Sequence, residues 1–166
     1  MAMSIRTDGM EDVSRMLANL GEKATEVASK GLYKGAGIVA DAMKNGINSI
    51  VTEPFNYIAN ADSTGTKRYA SPDEKAALVG KSGIAKFNST GDGVDTLVGI
   101  SGAAGYATVG GKQKAVRLIA RSINSGTSFM HKQPVFRKAA TQSSAAAQAA
   151  IAAKIERQIN EISGGK

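Results

Sequence analysis

The chain has no cysteine and no tryptophan, and only three of its 166 residues are proline. The absence of cysteine excludes disulfides, thiolate metal sites and cysteine nucleophiles, and it makes the fold indifferent to the redox compartment. Histidine is almost as scarce, since His131 is the only one. The common zinc sites and the Ser-His or Cys-His catalytic arrangements therefore cannot be assembled within one chain. We expect neither an enzyme nor a bound cofactor or metal.

Large core-forming side chains are also few. Leu, Ile, Val and Phe together contribute 33 residues, whereas alanine alone contributes 27. Such a content is near the lower edge for globular chains, although the moderate net charge argues against disorder. A length of 166 residues suits one domain of ordinary size. We expect a single domain over 1–166, with an interface between subunits supplying part of the missing burial.

No stretch of the sequence has the length and apolar character of a membrane span. The N-terminal residues reach Arg6 and Asp8 without the apolar segment of a signal peptide. The uncharged run 139–153 is alanine mixed with Ser, Gln and Thr, and it is shorter than the roughly 20 apolar residues that a span needs. We therefore expect assembly in the cytoplasm and no membrane partner.

Positive charge is concentrated in the second part of the chain. The formal net charge is +7, and from Lys67 onward fifteen Lys and Arg stand against six Asp and Glu. The densest stretch, 112–138, has no acid, and its cations are Lys112, Lys114, Arg117, Arg121, Lys132, Arg137 and Lys138. Such a run is typical of a surface that meets nucleic acid or an acidic partner. An ordinary solvated surface is the simpler alternative.

Hydrophobic spacing predicts an α+β fold with a long helix at each end of the chain. Apolar residues three and four positions apart over 13–47 predict a long amphipathic helix, which follows a short strand at 4–7 and a capping turn at 8–11. Glycines inside this helix indicate either a break near the first of them or close packing, for example against a neighbouring subunit. They are Gly21, Gly31, Gly35 and Gly37.

The middle of the chain predicts a loop, a short helix and a small antiparallel sheet. Residues 52–72 contain two of the three prolines and little periodicity, which is typical of a long loop. The order Ser-Pro-Asp-Glu at 71–74 predicts the cap and first turn of a helix that continues to Leu78. Strands are predicted at 84–87, 94–101 and 106–109, the last two joined by the loop 102–105.

Two helices are predicted in the last third of the chain. The first covers 114–125 and is ended by Gly126. The second follows Pro134, which is acceptable in a first helical turn, and it has an alanine-rich middle. We expect the last residues, 163–166, to be disordered.

Several patterns that suggest chemistry have simpler explanations. Gly80-Lys81-Ser82 is similar to the end of a phosphate-binding loop, but Lys75 stands where that motif requires its first glycine. The adjacent acids Asp73 and Glu74 lie where a helix N-terminus favours negative charge. Glu11 and Asp12 have the same explanation. We expect His131 to be an exposed or interface histidine.

Three short motifs follow one another along the chain in an order that resembles one known family. The first motif has three parts: residues 3–10 read Met-Ser-Ile-Arg-Thr-Asp-Gly-Met, and the predicted helix contains Leu-Ala-Asn-Leu-Gly at 17–21 and Lys-Gly-Ala-Gly-Ile-Val at 34–39. Residues 125–128 read Ser-Gly-Thr-Ser, and residues 133–139 read Gln-Pro-Val-Phe-Arg-Lys-Ala. Together with an alanine-rich last helix, this order resembles the tail-component, or neck and tail-completion, proteins of lambdoid and related siphophages. The chain departs from that family's aromatic and acidic residues before the Gly-Thr-Ser turn, and it carries an insertion around 56–73.

The resemblance implies a structural protein of the virion. Members of that family have no catalytic residues, and they would assemble as a homo-oligomeric ring, expected to be hexameric, at the head–tail junction. The partners would be other neck proteins, namely the connector and the tail terminator or tail tube, and genomic DNA contacted without sequence preference in the channel. A small basic nucleic-acid-binding module is the alternative, and it depends on the run 112–138 alone.

Overall fold

In the computed structural model the chain has an α+β fold. The structure describes residues 10–53, 67–90, 93–100 and 105–163. The helices of this part are α1 (Met10–Asn48), α2 (Pro72–Lys81), α3 (Val116–Ser125) and α4 (Val135–Ser163). The strands are β1 (Ser82–Ile84), β2 (Asn88–Thr90), β3 (Gly93–Asp95), β4 (Val98–Ile100), β5 (Tyr106–Val109) and β6 (Lys112–Ala115). The predicted fold class, with a long helix towards each end, is confirmed.

The strands form three separate antiparallel pairs instead of the one small sheet that was predicted. β1 pairs with β4, β2 with β3, and β5 with β6. The strand predicted over 94–101 is divided at Thr96 and Leu97 into β3 and β4, so its expected pairing with 106–109 is wrong. β5 turns instead at Gly110 and Gly111, whose φ angles of 56° and 75° suit a two-residue hairpin loop. The helix predicted from residue 114 consequently begins at Val116.

Helix α1 packs along α4 in an antiparallel pair, and glycine allows the close approach. Gly31 faces Ile155, Gly35 faces Ile151, and Gly46 faces Val135. A Cβ atom on Gly35 would lie 2.5 Å from the Ile151 side chain, a separation that packed atoms do not reach. Close packing at Gly31 and Gly35 is therefore confirmed, but the neighbour is α4 of the same chain. The break expected near Gly21 is absent, because α1 is continuous from Met10 to Asn48.

The hydrophobic core lies where the last turns of α1 meet α2, α3 and the start of α4. Ile47, Leu78, Val116 and Ile123 are completely buried there. Further along, α4 buries only small side chains, at Ala139, Ser143 and Ala147. Large apolar side chains are thus fewest between α1 and α4. There the two helix backbones lie close together, so small side chains fill the space between them.

Two polar side chains fasten the end of α1 to the core. The Lys75 ammonium donates hydrogen bonds to the carbonyls of Asn48 and Ile50, at 2.7 and 3.2 Å. The Gln133 amide accepts from the Val51 N–H at 2.8 Å and donates to the Val51 carbonyl at 3.1 Å. Carbonyls that a helix terminus leaves unpaired are thereby satisfied.

Several predicted features fall partly or wholly outside the described residues. The strand at 4–7 and the first residues of the capping turn do so, as do positions 54–66 of the predicted loop. The two ends of that loop are held together, because Thr52 and Ala70 form a parallel bridge. Of the tail expected to be disordered, Ser163 still belongs to α4, and 164–166 lie outside.

Candidate anion-binding surface

Helices α3 and α4 are joined by a nine-residue connection, 126–134. We call the region from the start of α3 to the first turn of α4, residues 116–138, the α3–α4 corner. Gly126 ends α3 as predicted, with φ of 73°, and its N–H donates to the Ser122 carbonyl at 2.9 Å. Its left-handed conformation favours glycine. A Cβ atom there would also lie 3.0 Å from the Lys132 side chain. Glycine at 126 therefore sets the path of the connection.

The last turn of α3 also caps the start of α4. The Asn124 side-chain oxygen accepts a hydrogen bond from the Phe136 N–H at 3.2 Å, and the Gln133 N–H donates to the Ile123 carbonyl at 2.8 Å. Residues of the 125–128 and 133–139 motifs thus take part in one built turn. This turn fixes the direction in which the following side chains of α4 point.

Five of the seven predicted cations lie on the surface of this corner. Helix α3 is strongly amphipathic, with Val116, Ile119, Ala120 and Ile123 buried, so its outer face carries Arg117, Leu118 and Arg121. The other three cations are in the connection and the first turns of α4. The five exposed cations are Arg117, Arg121, Lys132, Arg137 and Lys138.

These five cations have no carboxylate partner among the described residues. The ion pairs in that part of the chain involve Lys30, Arg68, Lys114 and Arg157 instead. Arg137 and Lys138 lie in the first turn of α4, which contains no acid. The N-terminal end of a helix carries the positive end of its dipole and disfavours cations. Their position does not stabilise the helix. The surface is therefore suited to bind an anion from outside the chain.

The remaining two predicted cations lie on β6. Lys112 is exposed and pairs through its backbone with Val109. Lys114 is half-buried, and its ammonium lies 3.3 Å from the Glu74 carboxylate. The structure therefore assigns Lys114 a partner inside the chain, which its place in an acid-free stretch of sequence did not indicate.

Glu74 is the centre of a buried ion-pair network that we call the Glu74 centre, formed by Arg68, Ser71, Glu74 and Lys114. Only 2% of Glu74 is exposed. The Arg68 guanidinium donates to both carboxylate oxygens at 2.8 Å, and the Ser71 N–H donates to one of them at 2.9 Å. The Ser71 hydroxyl in turn accepts from the Glu74 N–H at 3.2 Å, which completes a capping box at the start of α2.

The Glu74 carboxylate is held in its charged form. Burial raises its pKa, but the hydrogen bonds from Arg68 and from the Ser71 N–H, with the charges of Arg68 and Lys114, lower the pKa below its usual value. Each oxygen already accepts at least two hydrogen bonds. Such a saturated carboxylate stabilises the fold. The interpretation of the 73–74 acids as helix-start acids is confirmed, whereas Arg68 was not recognised from sequence.

His131 lies beside this network. Its ring stacks on Tyr69 with centroids 4.5 Å apart, and the backbone N–H of His131 donates to the Arg68 carbonyl at 2.9 Å. It is half-buried. Among the residues that the structure describes, no group of His, Asp and Glu could hold a metal ion. The stack packs the corner, through His131, against Tyr69 at the end of the predicted loop 52–72.

Comparisons with protein-family models, curated proteins and solved structures find no match to this chain. In the described ranges, no helix has the length and apolar character needed to cross a membrane.

Proposed function

We propose that this chain is a structural protein of a phage virion that completes the tail or joins head to tail. It would assemble as a homo-oligomeric ring between connector and tail tube. The observation that carries the proposal is the α3–α4 corner. Two of the three resembling motifs lie in the connection from α3 to α4, and five cations of the corner are exposed without acidic partners among the described residues. The order of the three motifs along the chain supports the same proposal.

A ring explains why cations would be placed where they do not stabilise the monomer. In a head-to-tail ring one surface of a subunit meets a different surface of the next, so complementary charge can be divided between the two. A ring that surrounds DNA can also direct cations at phosphates, without reading sequence. In both cases the anion comes from outside the chain, which fits five exposed cations without acidic partners among the described residues.

The experiment is native mass spectrometry of the purified chain over a range of concentrations, together with proteomics of virions from cells that carry its gene. We expect a closed ring with one dominant stoichiometry, and the chain among the virion proteins. A chain that stays monomeric at every concentration and is absent from virions would overturn the proposal.

The same five cations favour a second candidate, a small nucleic-acid-binding module. Phe129, at 46% exposure, supplies one aromatic ring for base stacking, while Phe136 packs against the core. If all five contact duplex phosphates, the logarithm of the binding constant falls with the logarithm of salt concentration with a slope of about −4.5. A salt titration on labelled duplex DNA tests this. A steep slope for the monomer favours the module, whereas binding only by the ring favours the neck protein.

A further inference from the structure

A groove of about 800 Å³ opens between the β1–β4 pair and the α3–α4 corner. Apolar side chains line it, among them Met43, Ile84, Val98 and Phe136. Leu97 stands at the same groove with 78% of its surface exposed, the largest exposed fraction of any large apolar side chain that the structure describes. A single exposed leucine is common, but one that adjoins an apolar groove extends it into a larger apolar surface of the kind that is typical of contact sites.

Positive charge accompanies the apolar lining. Arg121 and Lys81 both line the groove and are exposed, and no carboxylate in the described ranges pairs with either. An occupant that suits this groove carries an apolar side chain with a carboxylate close to it. A helix presents such a pair on one face when the two residues are three or four positions apart.

The far end of α4 presents this combination. Ile159 is 36% exposed, and Glu156, three residues earlier, is exposed and has no cationic partner among the described residues. The nearby Glu161 differs, since it pairs with Arg157 at 3.0 Å. Ala149 and Ala152 are exposed on the same face of the helix, and their small side chains allow another surface to approach.

We propose that the groove of one copy receives the end of α4 from a neighbouring copy, with Ile159 beside Leu97 and the Glu156 carboxylate facing Arg121 and Lys81. This inference rests on the proposed ring function and names its subunit contact. We infer a second copy because the end of α4 carries the apolar and acidic pair that suits this groove. Within one chain, Ile159 lies about 23 residues beyond Phe136 in α4, roughly 35 Å at the helical rise. A chain cannot place this helix end in its own groove, and such a head-to-tail contact can close into a ring.

The absence of cysteine makes a cross-linking test possible, because every thiol in a variant is then an engineered one. We expect the double variant Leu97→Cys with Ile159→Cys to form a ladder of disulfide-linked multimers on mild oxidation, ending at the ring size. Each single variant forms no more than dimers. The matched control replaces Ile159→Cys with Ala153→Cys, an exposed position about 120° around the same helix, and it forms no ladder.

A charge exchange tests the polar half of the contact. Glu156→Arg should raise the concentration at which rings form by about tenfold, since a like charge then faces Arg121. Adding Arg121→Glu to that variant should restore most of the loss. Circular dichroism melting of every variant separates an assembly defect from a folding defect.

The outcomes distinguish the contact from the ring itself. Rings in the unmodified chain without a Leu97–Ile159 ladder and without charge rescue would overturn the contact and leave the ring standing. The groove would then be filled by another protein. A chain that remains monomeric and is absent from virions overturns both proposals.

Discussion

The Glu74 centre and the α3–α4 corner use the same cationic side chains in opposite ways. At the Glu74 centre, Arg68 and Lys114 are 19% and 33% exposed and share one buried carboxylate. At the corner, five exposed cations have no carboxylate among the described residues. A buried charge must be paired within the chain because desolvation is costly. An exposed cation is solvated by water and needs no partner inside the chain. The corner is therefore the region of the two whose cations are available to an anionic partner.

Lys114 shows how the two regions differ despite their closeness in sequence. It stands in the same acid-free stretch as Arg117, three residues later, but its ammonium points to Glu74. A strand places neighbouring side chains on opposite faces, whereas the following helix turns its cations outward. The change from β6 to α3 at Val116 therefore separates a cation that is paired inside the chain from one that lies on the proposed binding surface.

The largest effect is expected from Glu74→Gln, which removes the charge and keeps the shape. The substitution removes the buried negative charge that Arg68 and Lys114 share, and we expect the free energy of unfolding to fall by about 3 kcal/mol. Urea unfolding at neutral pH measures the change. The control is Asp73→Asn, an exposed acid in the same helical turn, with an expected loss of about 0.5 kcal/mol. Equal losses in the two variants would show that the network does not differ from surface charge.

Acid should remove part of the same stabilisation. The pKa of Glu74 is lower in the folded chain than its ordinary value of 4.5, so folding favours the ionised form. Its contribution is complete above that ordinary value and is lost as the pH falls through the lower folded value. Unfolding midpoints measured between neutral pH and pH about 3 should therefore show a steeper acid loss for the unmodified chain than for Glu74→Gln. Parallel curves would contradict a lowered pKa.

Two glycines of α1 differ in their surroundings, since Gly35 is packed against α4 and Gly37 has open space around it. Gly35→Ala should lower the free energy of unfolding by about 2 kcal/mol, because its Cβ would press on Ile151. Gly37→Ala meets nothing within 4 Å and should stabilise the chain by about 1 kcal/mol through helix propensity. Thermal and urea unfolding of the two variants measure both changes. A stabilised Gly35→Ala would mean that the α1–α4 pair is more loosely packed.

The smallest effects are expected from two variants that compare Lys114 of the Glu74 centre with Arg117 of the α3–α4 corner. Lys114→Gln should reduce the free energy of unfolding by about 1 kcal/mol and leave the salt dependence of polyanion binding unchanged. Arg117→Gln should change the free energy of unfolding by less than about 0.5 kcal/mol and reduce the salt slope on DNA by about 1 if it contacts a phosphate. Heparin or duplex binding by fluorescence anisotropy at several salt concentrations measures the slopes. If Lys114→Gln reduced the salt slope and Arg117→Gln did not, Lys114 would belong to the binding surface.

Local signals in the sequence predicted most of the helices. The Ser71 cap with Glu74 three residues later, and Gly126 after an amphipathic stretch, each depend on contacts within a few residues. The cations of the candidate surface were also recognised, because an acid-free run is visible without a structure. The groove was not, since its lining comes from all four helices and from β1 and β4, which lie far apart in sequence.

The α+β class, the long helix towards each end and the concentration of positive charge could be predicted before any contact was known. They follow from periodicity, capping and composition, which act over short distances along the chain. The packing of Gly31 and Gly35 against α4, the pairing of β4 with β1 and the contact of Lys114 with Glu74 became visible with the three-dimensional fold. Each of these contacts joins residues that are distant in sequence, and many alternative pairings satisfy the same local patterns. Burial of the Glu74 charge and the fit of glycine against isoleucine select one of them.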